Sequence, residues 1–161
     1  MLIFIALIVG VTECFGFLGH RLASYCIWKQ LSPEAQARLQ ADIVSKDDFL
    51  ALGGWPDRIK RQEGWTWTKR LHFLDTDDDP PHTCHVPQLH ELPYIKPNVI
   101  TAAMNFTERF NQSKSREDLG FMMHFIMDLH QPLHLAKKAR GGNDYKVYSF
   151  SSKRFGIMGS R

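Results

Sequence analysis

Residues Leu119 to Leu129, "LGFMMHFIMDL", constrain this chain more than any other stretch. Apart from His124 and Asp128, every residue in it is apolar or glycine. A segment of helical length that is apolar on all sides is a helix buried on all sides. The fold must therefore wrap other elements around it, and 161 residues suffice for one domain with such a core. Burial makes the two polar residues costly unless they are paired. His124 and Asp128 stand four apart and share one helix face. Either a His–Asp hydrogen bond that only satisfies itself or a pair of metal ligands meets that demand.

Nearby residues weigh on the choice. His134 lies just past Pro132, which stops the helix, so the chain turns there and can aim a third ligand inward. His130 falls on a different face and reads as a bystander. Upstream, Asp57 in "GGWPDRIKR" and His72 in "KRLHFLDTDDDPP" are further metal candidates, because His72 sits in an apolar stretch and again needs a partner. His82, His85 and His90 lie in proline-rich loops and read as surface residues.

The rest of the chain reads as helices joined by loops. A helix is predicted over Gly19–Leu31, with Leu22, Tyr25 and Cys26 as its apolar positions. In "SPEAQARLQADIV", Ser32 is an N-cap, Pro33 takes the first helical position and Glu34 the first turn. A shorter helix covers about Lys46 to Leu52 and ends at Gly53-Gly54. "TDDDPPHTCHVPQ" is loop. Val99, Ala103, Phe106 and Phe110 mark another helix. Ser115 and Asp118 resemble a capping box opening the apolar helix, with Asp in the Glu/Gln position. Gly141-Gly142-Asn143 is a turn, and "YKVYSF" alternates like a strand. The fold class expected is all-α and multi-helical, with a short β segment near residues 145–150.

The first 14 residues, "MLIFIALIVGVTEC", have the layout of a secretory signal peptide: an apolar run from Leu2 to Val11, then Thr12-Glu13 and a small Cys14. That run is too short to span a membrane, so no membrane association is expected after cleavage. Asn105-Phe106-Thr107 and Asn111-Gln112-Ser113 match the N-glycosylation pattern and agree with a secreted, extracellular or secretory-lumen protein. Cys26 and Cys84 remain after cleavage and can pair or stay free. The formal net charge of +3 leans towards anionic partners but does not by itself argue for nucleic acid.

"FGFLGHRLASY", "GGWPDRIK", "LHFLDTDDDPP", "MHFIMDLHQPLH" and "RGGNDYKV" occur in an order and spacing that resembles the zinc-dependent single-strand nucleases of fungi and plants, a family related to bacterial zinc phospholipase C. The resemblance covers Phe15 to about Phe150, leaving residues 151–161 as a divergent tail. It implies a secreted, mainly α-helical enzyme with three zinc ions. It implies one zinc held by Asp57, His72, His124 and Asp128. Asp128 would bridge to a second, completed by His20 and by the α-amino nitrogen and carbonyl of Phe15 once the signal is removed. His134 would begin the third site. Lys60 stands where the family tends to have a basic residue near the scissile phosphate. Asp57 and Lys60 are accordingly the catalytic candidates. Phe73 and Asp75 match residues that stack on and hydrogen-bond an unpaired base, with help at Gly141 and Asn143.

The activity so implied is hydrolysis of phosphodiester bonds in single-stranded DNA and RNA, together with 3'-nucleotidase activity, with no stable protein partner. A zinc phospholipase C-like hydrolase shares the same metals. The family's later His and Asp, four apart on a further helix, have no counterpart here, and neither does the partner of the family cysteine that Cys84 resembles. The chain therefore resembles the first half to two-thirds of such an enzyme, and an inactive product that binds only metal or nucleic acid is the reading from another class.

Overall fold

The computed structural model describes residues 16–76, 79, 82–83, 88, 90–91, 96–136 and 141–143. All regular structure among them is helical. The helices are α1 (Phe17–Gln30), α2 (Pro33–Asp42), α3 (Lys46–Leu52), α4 (Trp55–Ile59), α5 (Val99–Ser113) and α6 (Arg116–Leu129), with 3-10 helices at Thr66–His72 and Pro132–Leu135. The expected strand at 145–150, the signal region 1–14 and the tail 151–161 lie outside the described residues. Among those described, no helix is long and apolar enough to cross a membrane.

Local chemistry sets most boundaries. Ser32 caps α2 by accepting from the Ala35 amide at 3.1 Å, with Pro33 in the first turn. Ser45 caps α3 in the same way through Asp48. Asn98 and Thr101 form a full capping box at the start of α5. At α6 the expected box is only half made. Ser115 Oγ accepts from the Asp118 amide, but the Asp118 carboxylate turns to Ser113 at 2.6 Å and to Arg109 Nε at 2.9 Å. Two donors, one of them a cation, outcompete a single backbone amide. Burial alone would raise the pKa of Asp118, but the bonds from Ser113, Arg109 and Ser115 hold it below the usual value. α3 ends at Leu52 as expected, and Gly53 and Gly54, both at right-handed helical angles, form the turn that leads into α4.

α6 lies between two apolar clusters. Leu119, Met123 and Met127 pack with Trp28, Val44, Phe49 and Leu52. Phe121 and Phe125 pack with Ile59, Leu71, Leu74, Val99 and Phe106. Between these stripes runs a third buried strip of Gly120, His124 and Asp128. The fourth side is less enclosed than the sequence suggests: Met122 and Leu129 are half-buried, and Ile126 is 37% exposed. Met122 and Leu129 still pack against the clusters at its margins.

α1 departs further from expectation. Its buried residues are His20, Ser24 and Trp28, while Leu22, Tyr25 and Cys26 face outward. Gly53 explains the inversion. A Cβ there would overlap Ser24 Oγ and approach Met127 Cε to 2.7 Å. The bare backbone lets α1 come close to α3 and α6, and that contact selects the face with His20 and Ser24, while Trp28 on the same side enters the apolar cluster.

Candidate metal centre

Each polar side chain reaches the buried strip of α6 from a separate element. α1 supplies His20, α4 supplies Asp57, the first 3-10 helix ends on His72, α6 carries His124 and Asp128, and the second 3-10 helix contributes His134. His20, His124 and Asp128 are almost wholly buried, and Asp57 keeps 27% of its side chain exposed.

Asp128 is the hub. Its Oδ2 lies 3.1 Å from His72 Nδ1 and 3.0 Å from His124 Nε2. Its Oδ1 lies 3.3 Å from His20 Nε2 and 3.6 Å from His134 Nε2. Asp57 closes the other side, with Oδ1 at 3.6 Å from His72 Nδ1 and 3.7 Å from His124 Nε2, and Oδ2 at 3.7 Å from His20 Nε2. His72 Nδ1 and His124 Nε2 are 2.8 Å apart. The His20 ring stacks on that of His124 at 4.0 Å between centroids.

A test of metal fit follows from these distances. Four ligands at about 2.0–2.1 Å in a tetrahedron stand about 3.3–3.4 Å from one another. The five edges that join His72 and His124 to each other and to Asp128 and Asp57 run from 2.8 to 3.7 Å and so bracket that value. Two groups could each hold a metal ion: His72 with His124 and Asp128, and His20 with Asp57 and His124.

Backbone groups set the ring orientations. His124 Nδ1–H donates to the Gly53 carbonyl at 2.7 Å, which turns Nε2 inward. His134 Nδ1–H donates to the Gly141 carbonyl at 2.8 Å and likewise turns Nε2 towards Asp128. A carbonyl on the far imidazole nitrogen is the usual device for fixing a metal-binding tautomer.

The electrostatics suit cation binding. Burial lowers the pKa of His72 to about 4, against the opposing pull of Asp128, so its ring is neutral near pH 7. Burial also lowers that of His20. For Asp128, burial acts upward, but His124 and hydrogen bonds from three imidazoles hold the carboxyl well below its usual value. Asp57 is likewise held low by His124, Lys60 and His72 against its own burial. His124 moves the other way: burial disfavours its charge, but Asp128 beside it outweighs this and raises its pKa. Asp128 thus favours the protonated form of His124, while burial favours the neutral form of His72.

The remaining sequence candidates separate. Lys60 Nζ donates to Asp57 Oδ1 at 2.6 Å, so it stands beside the centre. Phe73 is half-buried against Gly141, where a Cβ would lie 3.2 Å from Phe73 Cβ. Gly141 has φ 65, a backbone that favours glycine. The Leu74 amide donates to the His134 carbonyl at 2.7 Å and keeps this corner beside the centre. Asp75 is exposed and Asn143 is half-buried. His130 is exposed and bonds only its own helix, through the Ile126 carbonyl. His82 and His90 are exposed, and Cys26 is a free, exposed thiol. Asn105 and Asn111 are both exposed on α5. Phe15, Cys84 and His85 lie outside the described residues. Sequence reasoning missed Gly53, whose carbonyl orients His124 and whose missing side chain admits α1. The paired glycines were its only visible signal.

Comparison with known proteins places the chain. Residues 15–155 match the S1/P1 nuclease family. The chain is 34% identical over 140 residues to Nuclease P1 of Penicillium citrinum, covering 83% of this chain and 52% of that protein. It is 31% identical over 144 residues to Nuclease S1 of Aspergillus oryzae, covering 85% and 50%. With Endonuclease 3 of Arabidopsis thaliana it shares 29% over 168 residues, covering 91% and 53%. The chain spans about half the length of the curated relatives it matches.

Proposed function

Because the chain belongs to the S1/P1 nuclease family, we propose that it is a zinc-dependent nuclease, or the metal-bearing portion of one, that hydrolyses phosphodiester bonds in single-stranded DNA and RNA. The observation that carries this reading is the convergence of two imidazoles, His72 and His124, with the carboxylates of Asp128 and Asp57, at imidazole–imidazole and imidazole–carboxylate distances that bracket a tetrahedral edge. In this reading Asp57, His72, His124 and Asp128 hold one zinc. Asp128 is shared with a second, which also takes His20 and the α-amino nitrogen and carbonyl of Phe15 after signal cleavage. His134 contributes to a third. Bound zinc supplies hydroxide at neutral pH and offsets negative charge on phosphoryl oxygens.

The chain's own residues do the rest. Gly53 and Gly141 hold His124 and His134 in the ligating orientation through their carbonyls. Lys60 places a cation beside Asp57, where it can move to an incoming phosphate. The half-buried Phe73 is the ring on which an unstacked base would stack, and the exposed Asp75 can accept from that base's edge. A base must leave its stack to use that ring, which favours single strands. Secretion, glycosylation at Asn105 and Asn111, and 3'-nucleotidase activity belong to the same proposal.

The test has two readouts. Zinc is titrated against a chromophoric chelator, and hydrolysis of single-stranded and duplex DNA is compared in the same preparation. The expected result is zinc binding that His124→Ala or Asp128→Ala abolishes, with cleavage confined to single strands. Failure to bind zinc, or equal cleavage of duplex, would overturn the reading.

A further inference from the structure

We propose that the outer face of the first 3-10 helix, Trp67 with Lys69 and Arg70, is a binding track that carries a single-stranded nucleic acid beyond the nucleotide at the metal centre. This rests on the nuclease reading and extends it from one nucleotide to a strand.

Four observations carry it. First, Trp67 is 54% exposed, an unusual place for so large an apolar ring, and Lys69 and Arg70 are exposed beside it. Second, the helix that presents them is anchored. Trp65, immediately before it, packs edge-on against Trp55 at 5.7 Å and contacts Phe121, while Thr68 and Leu71 are buried beneath. The outward face is therefore held rigidly. Third, the helix runs straight into the site: it ends on His72, and Phe73 follows. Fourth, charge is concentrated here. Between Asp57 and Phe73 there are five Lys/Arg and two Asp/Glu, a local excess of +3 that equals the formal net charge of the whole chain.

The spacing suits an unstacked strand. In a 3-10 helix residues three apart lie over one another, about 6 Å along the axis. Trp67 and Arg70 are such a pair, and Phe73, extended in backbone, follows directly after the helix ends at His72. Bases stacked in a duplex are separated by only about 3.4 Å. A ring and a cation about 6 Å apart, with the Phe73 ring beyond them, match a strand whose bases are parted, with rings taking bases and the guanidinium and ammonium taking phosphates. Stacking platforms set in a cationic groove are how proteins hold single strands without reading sequence.

The experiment measures binding of fluorescein-labelled phosphorothioate dT2 and dT8 to the zinc-loaded full chain by anisotropy, for the unaltered protein and for Trp67→Ala, Arg70→Gln, Phe73→Ala and Lys29→Gln. Lys29 is an exposed cation on α1 and controls for bulk charge. Trp67→Ala is expected to weaken dT8 about tenfold and dT2 less than about twofold. Arg70→Gln should weaken dT8 and reduce its salt slope by about 0.7, the value for one phosphate of a single strand. Phe73→Ala should weaken both oligomers. Losses from Trp67→Ala or Arg70→Gln that are equal for dT2 and dT8, absent for both, or matched by Lys29→Gln would overturn the track and leave the nuclease reading standing. Failure of the unaltered chain to bind either oligomer would overturn both. Circular dichroism of the exposed-site variants shows whether each is folded.

Discussion

α1 and α6 are both 14 residues long, and both place a histidine against Asp128, yet they are built in opposite senses. α6 buries its apolar residues on two flanks and keeps His124 and Asp128 in the strip between them. α1 buries His20 and Ser24, and leaves Leu18 76% and Leu22 47% exposed. For α6 the hydrophobic effect and the site act together, since the same packing that excludes water also aims His124 and Asp128 into one pocket. For α1 the site prevails over the apolar pattern. The face with His20 turns inward, and Gly53 leaves room there for Ser24 that a larger side chain could not share.

The widest gap between the two helices should appear on truncation. Phe125→Ala removes a ring with 0% exposure that touches His72, Phe106 and Phe121, and should cost about 3–5 kcal/mol in denaturant melts. Leu22→Ala should change the same melts by no more than about 0.5 kcal/mol. Comparable losses would show that α1 is packed outward against something that the described residues do not include.

Acid titration of the metal-free chain probes the site that both helices share. The unfolded chain takes up a proton at His72 near pH 6.5, whereas the folded chain resists until about 4. The unfolded state binds more protons between those values, so stability should fall as pH drops through that window. The loss should reach about 3 kcal/mol from this group, with His20 acting in the same direction. Zinc should shift the midpoint to lower pH, because a metal occupies the nitrogens that protons would take. His124, raised by Asp128, has the opposite sign: its stabilising charge is present in acid and lost as pH rises through its raised value. Metal binding below the raised His124 value should therefore release a proton, detectable as a buffer-dependent heat in calorimetric titration.

Gly53→Ala tests the contact that inverts α1. Its Cβ has no room between Ser24 and Met127, and overpacking should cost about 1–3 kcal/mol. Because the Gly53 carbonyl also orients His124, zinc affinity should fall about 10- to 100-fold, as for loss of other groups that support a ligand. A melt shift without an affinity change would separate packing from ligand orientation. The smallest effect belongs to Tyr25→Ala, which should leave both stability and zinc affinity within error, since that ring is 45% exposed and opposite the site.

Much of the fold is legible in the amino-acid order. The apolar run around His124 and Asp128 requires a buried helix, and Ser32-Pro33 requires a helix start, because both signals are local. Ser115 is half legible: its cap is local, but the destination of the Asp118 carboxylate depends on Arg109 arriving from α5. The first 3-10 helix escapes a reading of the sequence, since its anchors Trp65 and Leu71 declare themselves only against α4 and α6.

The amino-acid order alone determined which groups could share a helix face, because rise and turn per residue are constants of the backbone. It thus paired His124 with Asp128 and supplied the ligand chemistry. It could not determine how one helix rotates against another, which depends on contacts between residues far apart in the chain. His124 meets the Gly53 carbonyl across 71 positions, His72 meets Asp128 across 56, and His124 meets His72 across 52. Only tertiary packing turned α1 to bury His20 and leave its leucines outside, because the close approach at Gly53 is a property of three chain segments together and of none alone.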